Sequence, residues 1–417
     1  MKLKREKYLN DLIFRMNNGL IKVITGIRRC GKSYLLFELF YEYLLSQGIK
    51  DDHIIRIALD DDEYEDLLEY HELGDYIRNR INSQDAFYVF LDEVQLCENF
   101  ERVLNGLNRR KNLDIYVTGS NSKFLSTDII TEFRGRGDEV HVMPLTFSEF
   151  MEVYTGDEYR GWAEYATYGG MPLILTMKDD EQKMRYLTAL FEETYLKDII
   201  ERNHIRKTQE LEDTINILAS SVGSLTNPNR IKDTFASKMN SKISLPTVKN
   251  YIDDLEEAFI ISKAQRYNVK GRKYIDAPYK YYFEDIGLRN ARLGFRQPEE
   301  NHIMENVIYN ELRYRGYSVD VGVIETRRRN KDGDRVSINY EIDFVANKGT
   351  KRYYIQSAFA IPDADKEKQE KKSLLEIEDS FKKIVIVKDV IKPQRDIDGI
   401  VKMSLYDFLL DMNSLTL

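Results

Sequence analysis

The chain has 417 residues, 42% hydrophobic and 32% charged, with a formal net charge of −8. That length calls for about two or three cores, and that composition excludes an intrinsically disordered chain. The acidic balance excludes non-specific nucleic-acid binding by the whole surface and leaves it only to local basic patches.

In chain order, residues 20–143 alternate between short apolar runs and helical patterns. Residues 20–25 form the first buried-strand run, and a helical stretch follows from Ser33 to about Gln47, with Leu35, Leu36, Leu39 and Phe40 at helical spacing. Further strands are expected at 54–59, 86–91, 114–118 and 139–143. Strands separated by helices predict a mainly parallel sheet covered on both faces. Residues 145–207 read as helical, with a break at Gly169-Gly170-Met171-Pro172. Residues 208–290 read as short helices closed by a strand pair at 260–267 and 273–283, the order of a winged helix. Residues 291–417 return to α/β character, with a helix near 301–315, strands near 317–324, 338–346 and 351–356, a charged helix near 364–379 and a strand at 384–387. The predicted domains are therefore 1–144, 145–207, 208–290 and 291–417.

The first strand runs into Gly26-Ile27-Arg28-Arg29-Cys30-Gly31-Lys32-Ser33, a full match to G-x-x-x-x-G-K-S/T in the strand–loop–helix setting that gives the pattern its meaning. Glycines let backbone N–H groups approach phosphate oxygens, and the helix start adds partial positive charge. Lys32 is expected on the β- and γ-phosphates of ATP and the Ser33 hydroxyl on Mg²⁺, with Tyr34 next in line. Cys30 occupies a position where its side chain need not matter. The strand at 86–91 ends in Asp92-Glu93, one carboxylate for the metal shell (Asp92) and one to polarise the attacking water (Glu93). Ser120 and Asn121, after the fourth strand, are placed to sense the γ-phosphate or orient water, or else to cap a helix. Arg134 and Arg136 offer a guanidinium for phosphoryl charge, in the chain's own site or a neighbour's, so a homo-oligomer stays open. The acid run 60–63 reads as a solvated loop.

These motifs, with Pro144-Leu145-Thr146-Phe147-Ser148-Glu149-Phe150, Tyr195-Leu196-Lys197-Asp198-Ile199 and Phe283-Glu284-Asp285-Ile286-Gly287-Leu288-Arg289, give the chain a resemblance along nearly its whole length. It resembles the prokaryotic AAA+ ATPases that carry a C-terminal domain of unknown function. The resemblance implies a P-loop sheet of the ASCE type, with the sensor strand between the two Walker strands, a helical lid, a winged helix and a nuclease-like α/β domain. It also implies Arg136 as the arginine finger and Pro172 of the lid as an adenine contact.

In the winged-helix segment, residues 245–252 look like a recognition helix. Asp253, Asp254, Glu256 and Glu257 follow it and would repel phosphates, while Lys263, Arg266, Lys270, Arg272 and Lys273 could touch a DNA backbone. The last domain is similar to PD-(D/E)xK nucleases: Glu305 on its leading helix and Asp343 on a strand match metal-binding carboxylates. The second acid and the lysine of that pattern fall on Gln356 and Ala358, so nuclease chemistry is not expected and a binding or assembly role is. No run of ~18 uncharged apolar residues predicts a membrane span, and the basic residues 1–7 lack the apolar run of a secretory signal. Cys30 and Cys97 form neither a disulfide framework nor a metal-ligand cluster. The reading is thus a cytoplasmic ATPase with Mg²⁺, a switch or motor acting on a macromolecular partner, DNA or protein, with an ATP-gated DNA-binding or DNA-cleaving enzyme that uses the C-terminal domain as the alternative.

Overall fold

The computed structural model describes residues 2–119, 135–239, 241–296, 299–329 and 335–416. The chain divides into two compact units, residues 1–144 with 257–259, and residues 145–256 with 260–417.

Among the described residues of the first unit, five strands form one parallel sheet. They are β1 (Ile21–Thr25), β2 (Ile54–Ala58), β3 (Phe87–Asp92), β4 (Leu113–Thr118) and β5 (Gly137–His141), in the order β2-β3-β4-β1-β5. β4 therefore lies between the strand that feeds the glycine-rich loop and the strand that ends in Asp92. Side-chain alternation explains the two-sided burial. Val89, Leu91, Ile115 and Val117 join Leu73, Ile77, Leu104 and Leu107 of the covering helices on one face. On the other face Phe90 and Tyr116 pack with Phe40, ring centroids 4.8–5.6 Å apart. Phe40 lies in the helical segment that begins at Lys32, passes through the π-helical stretch Leu35–Phe40 and ends at Ser46. Each such fully buried side chain contributes about 1.5–3 kcal/mol, and this packing fixes the helix whose first turn carries the loop.

One buried polar group sits in the middle of this sheet. Lys22 of β1 is 0% exposed and bonds to the Asp114 carboxylate of β4, which also accepts from the Tyr116 hydroxyl (2.8 Å) and the Asn17 N–H (2.9 Å). Burial holds the Lys22 amine below its ordinary range, and Asp114 opposes that shift.

The second unit begins with helices. Its glycine break is a close-packed joint. Gly169 has φ +73°, and a Cβ on Gly170 would lie 2.1 Å from the Leu145 carbonyl oxygen. The Asp285 carboxylate accepts from the Gly170 N–H (2.7 Å) and from the Leu288 N–H (3.0 Å), so it caps the helix Ile286–Arg292 while pinning the break. Burial pushes this carboxyl up to about 6, against the pull of those N–H donors.

Helices Thr208–Ser220, Pro228–Lys238 and Leu245–Glu257 then lead to the hairpin β6 (Ile261–Asn268) and β7 (Lys273–Phe283). The sequence reading placed this hairpin in a separate domain ending at 290. In the structure β6 pairs in parallel with β8 (Ser318–Arg329), Arg266–Asn268 against Val321–Val323. The hairpin is thus the edge of a larger sheet, because an open strand edge satisfies its N–H and C=O groups by taking a partner. That sheet continues through β9 (Arg335–Lys348), β10 (Lys351–Ala358), β11 (Lys382–Val387), β13 (Val401–Ser404) and β12 (Gln394–Arg395). The helix Glu300–Tyr314 packs on it. Among the described residues no helix is long and apolar enough to cross a membrane.

Candidate functional site

The parallel register brings the C-terminal ends of β1, β3 and β4 together, and the sequence motifs begin there. After β1, Gly26 has φ +138° and a Cβ on it would meet the Val142 carbonyl oxygen at 2.1 Å. Arg29 (φ +61°) and Gly31 (φ +102°) complete the turn. The Cys30 thiol, fully buried, donates to that same Val142 oxygen at 3.2 Å, so its side chain anchors the loop, contrary to the sequence expectation. Ile27 is buried beneath the loop, while Arg28 is half-buried and Arg29 exposed. Lys32, 4% exposed, folds its ammonium back onto the carbonyls of Gly26 (3.0 Å) and Ile27 (3.2 Å). Tyr34 donates to the Leu3 carbonyl (3.1 Å).

We expect Gly26→Ala to cost about 2–4 kcal/mol, since the contact is with backbone that no rotamer change relieves and the φ is one L side chains rarely adopt. Thermal unfolding together with nucleotide titration reads this out, and an unchanged melting temperature with unchanged nucleotide affinity would contradict it.

Asp92 ends β3, buried, and takes a hydrogen bond from the Thr118 hydroxyl, with the Ser33 hydroxyl near enough to favour its charged form. Burial raises its carboxyl above the usual range. The two hydroxyls oppose that, and the Glu93 and Asp60 charges add to it. Asp60 belongs to the acid run after β2, so one acid of that run faces the site electrostatically. Glu93 has φ +47°, a left-handed backbone that costs a non-glycine residue about 1 kcal/mol or more. Its N–H donates to the Thr118 hydroxyl (3.0 Å), and its carboxylate accepts from the Gln95 amide. Thr118 thus holds both adjacent acids. The sequence motifs contain Thr118 and Gln95 but give neither a role. The signal for Thr118 was a polar residue ending an apolar strand, but its partners lie on another strand.

Ser33 and Asp92 lie close together and supply the hydroxyl and carboxylate oxygens that a hard divalent cation takes, so the donor set fits Mg²⁺. Ser120, Asn121 and Arg134 lie outside the described residues. Arg136 does not join the site within this chain. It precedes β5, its carbonyl accepts from the Ile21 N–H (2.8 Å), and Gly137 is in register with Ile21 at the start of β1. At ~3.3 Å per residue, the length of β1 puts ~16 Å of strand between it and the loop. Pro172 lies in the second unit, where it opens the 3-10 turn Pro172–Thr176.

In the second unit the carboxylates expected at Glu305 and Asp343 do converge, with an unforeseen partner. Lys280 of β7, 3% exposed, reaches Glu305 (2.8 Å), Glu341 (2.9 Å) and Asp343 (3.5 Å). Burial would lower the Lys280 pKa, but the three carboxylates raise it well above its ordinary value. Asp343 also accepts from the Ser357 N–H (2.8 Å), and Glu305 from the Tyr282 hydroxyl (2.6 Å). Gln356 accepts from Ser373 (3.4 Å) and Ala358 is buried.

Comparison with known proteins agrees with the fold of the first unit. The profile of the AAA domain family matches residues 18–151, and that of a domain of unknown function (DUF8612) matches residues 159–299. An uncharacterized protein of Haemophilus influenzae is 35% identical, with 98% of each chain covered. One of Methanocaldococcus jannaschii is 27% identical over 88% of this chain and 81% of its own. The Walker-type ATPase of Pyrococcus abyssi superposes with a TM-score of 0.51 at 17% identity, over 70% of this chain and 96% of that one, a likeness of fold. The chain accordingly belongs to the family of the Haemophilus influenzae protein, with an AAA-type P-loop domain in its N-terminal part.

Proposed function

We propose that the chain binds ATP with Mg²⁺ and hydrolyses it, as a switch acting on a macromolecular partner. The observation that carries this reading is the junction at Thr118, which holds Asp92 and the backbone of Glu93 beside the Lys32–Ser33 turn. Ser33 and Asp92 would hold the Mg²⁺ ion, which supplies charge neutralisation at the phosphates. Lys32, whose present acceptors are two carbonyls, exchanges them for phosphate oxygens when nucleotide enters. The loop N–H groups from 27 to 33 cradle the β-phosphate. Glu93, held by Gln95 and Thr118, orients a water and accepts its proton. Ser120 or Asn121 senses the γ-phosphate. The position of Arg136 at the far end of β1 and β5 favours action on a neighbouring copy's nucleotide, and with it a homo-oligomer.

The first test is nucleotide binding. Lys32→Ala is expected to weaken ATP affinity at least ~10-fold, because a charge-assisted contact to phosphate is worth about 1.5–3 kcal/mol. Titration with a fluorescent ATP analogue measures it, and an unchanged dissociation constant would remove Lys32 from the site.

A further inference from the structure

The nuclease-like frame of the second unit implies a divalent cation between Glu305 and Asp343, and the residues present do not fit one. Each carboxylate that would face the ion is already engaged. The Lys280 ammonium lies 2.8 Å from Glu305, 2.9 Å from Glu341 and 3.5 Å from Asp343. The Tyr282 hydroxyl takes a further bond to Glu305, and the Ser357 N–H holds the other Asp343 oxygen. The position where such a frame carries its second acid is Gln356, and the lysine position is the buried Ala358. Among the described residues no group of three or more His, Cys, Asp or Glu side chains is arranged to hold a metal.

We propose that Lys280 is a built-in cation that stands where the divalent ion of a nuclease-like frame would sit, which makes this cleft a metal-free site. The chemistry is that of substitution. Glu305 and Asp343, with side chains 11% exposed, need positive charge from a bound ion or from a side chain of the protein, while Glu341 at 37% keeps part of its hydration. Hard cations sit about 2.0–2.6 Å from their oxygens, so an ion at the centre of this cluster would overlap the ammonium and has to expel it. Expulsion carries its own cost, since Lys280 is 3% exposed and its other acceptors would have to come from solvent. The cation comes from the hairpin strand β7, 25 positions from Glu305 and 63 from Asp343 in the chain. Joining the hairpin to the large sheet is therefore what fills the site. The cleft onto which Glu305 and Asp343 open, about 580 Å³ and also bordered by His302, Gln356, Ser357 and Lys366, keeps the shape of the frame without its metal chemistry.

The test is Mn²⁺ binding to the full chain without nucleotide, followed by the electron paramagnetic resonance of free Mn²⁺. Wild type and Asp343→Asn are expected to titrate alike. Lys280→Met, with the cation removed and three carboxylates left, is expected to gain one site, and Lys280→Met/Asp343→Asn to lose it again. A wild-type Mn²⁺ site that disappears in Asp343→Asn would overturn the proposal. So would a folded Lys280→Met chain that gains no site. If Lys280→Met does not fold, the comparison of wild type with Asp343→Asn decides alone. None of these readouts involves ATP, so they stand apart from the ATPase reading.

Discussion

Replacing Glu93 by Gln is expected to lower kcat for ATP hydrolysis by about 10²–10⁴-fold while ATP still binds. The substitution keeps the side chain's size and its oxygen toward Gln95, and it leaves the backbone bond to Thr118 untouched. What it removes is the basic carboxylate that takes a proton from the attacking water. A loss of that size corresponds to about 3–5 kcal/mol of transition-state stabilisation. KM is expected to change little, because the residue acts on water and not on the phosphates. Steady-state phosphate release gives both constants. A variant with raised KM and unchanged kcat would assign Glu93 to binding instead. The left-handed backbone at this position supports the assignment. Local strain persists where the surroundings hold it, and here Thr118 and Gln95 hold the group in one orientation.

The largest effect on stability is expected from Asp114→Ala, about 3–5 kcal/mol. Lys22 is completely buried on β1, an interior strand, and its ammonium would keep the Tyr116 ring, 5.1 Å from its centroid, and the Asp138 charge. The same change frees the Tyr116 hydroxyl and the Asn17 N–H from their acceptor. Removing both charges is a different experiment. Lys22→Met/Asp114→Leu is expected to recover the part of the loss that comes from the unpaired ammonium, while the Tyr116 hydroxyl and the Asn17 N–H still lack their acceptor. The coupling from this double-mutant cycle, read from urea unfolding, should exceed about 1 kcal/mol. Additive losses would show that the two groups do not depend on one another.

Much of the P-loop domain was legible in the sequence for a physical reason. Strands of a parallel sheet are buried on both faces and read as apolar runs, as 87–91 and 113–118 do, and the glycine-rich turn must be local to one strand and one helix. The same locality made Asp92 and Glu93 visible as the end of a strand. What escaped depends on pairs far apart in the chain. Thr118 has a meaning only because β4 lies beside β3. Lys22 lies in a run that reads as buried, and its partner Asp114 appears only once β4 is placed beside β1. The loop packing that gives Cys30 a function comes from Val142, 112 positions away. Lys280 looked like an ordinary charge on a hairpin because its partners sit on a helix and on another strand. Helices followed by two strands carry no sign of a further strand alongside, so the pairing of the hairpin with β8 was not legible. The short strand Val401–Ser404 went unseen, four residues being too few for a periodicity to register.

The central claim is that the ends of β1, β3 and β4 form one ATP-hydrolysing site. Phosphate release from ATP in the presence of Mg²⁺, compared among wild type, Lys32→Ala and Glu93→Gln, tests it most directly. Turnover by the wild type and its near loss in both variants are expected. Equal turnover by all three would contradict it.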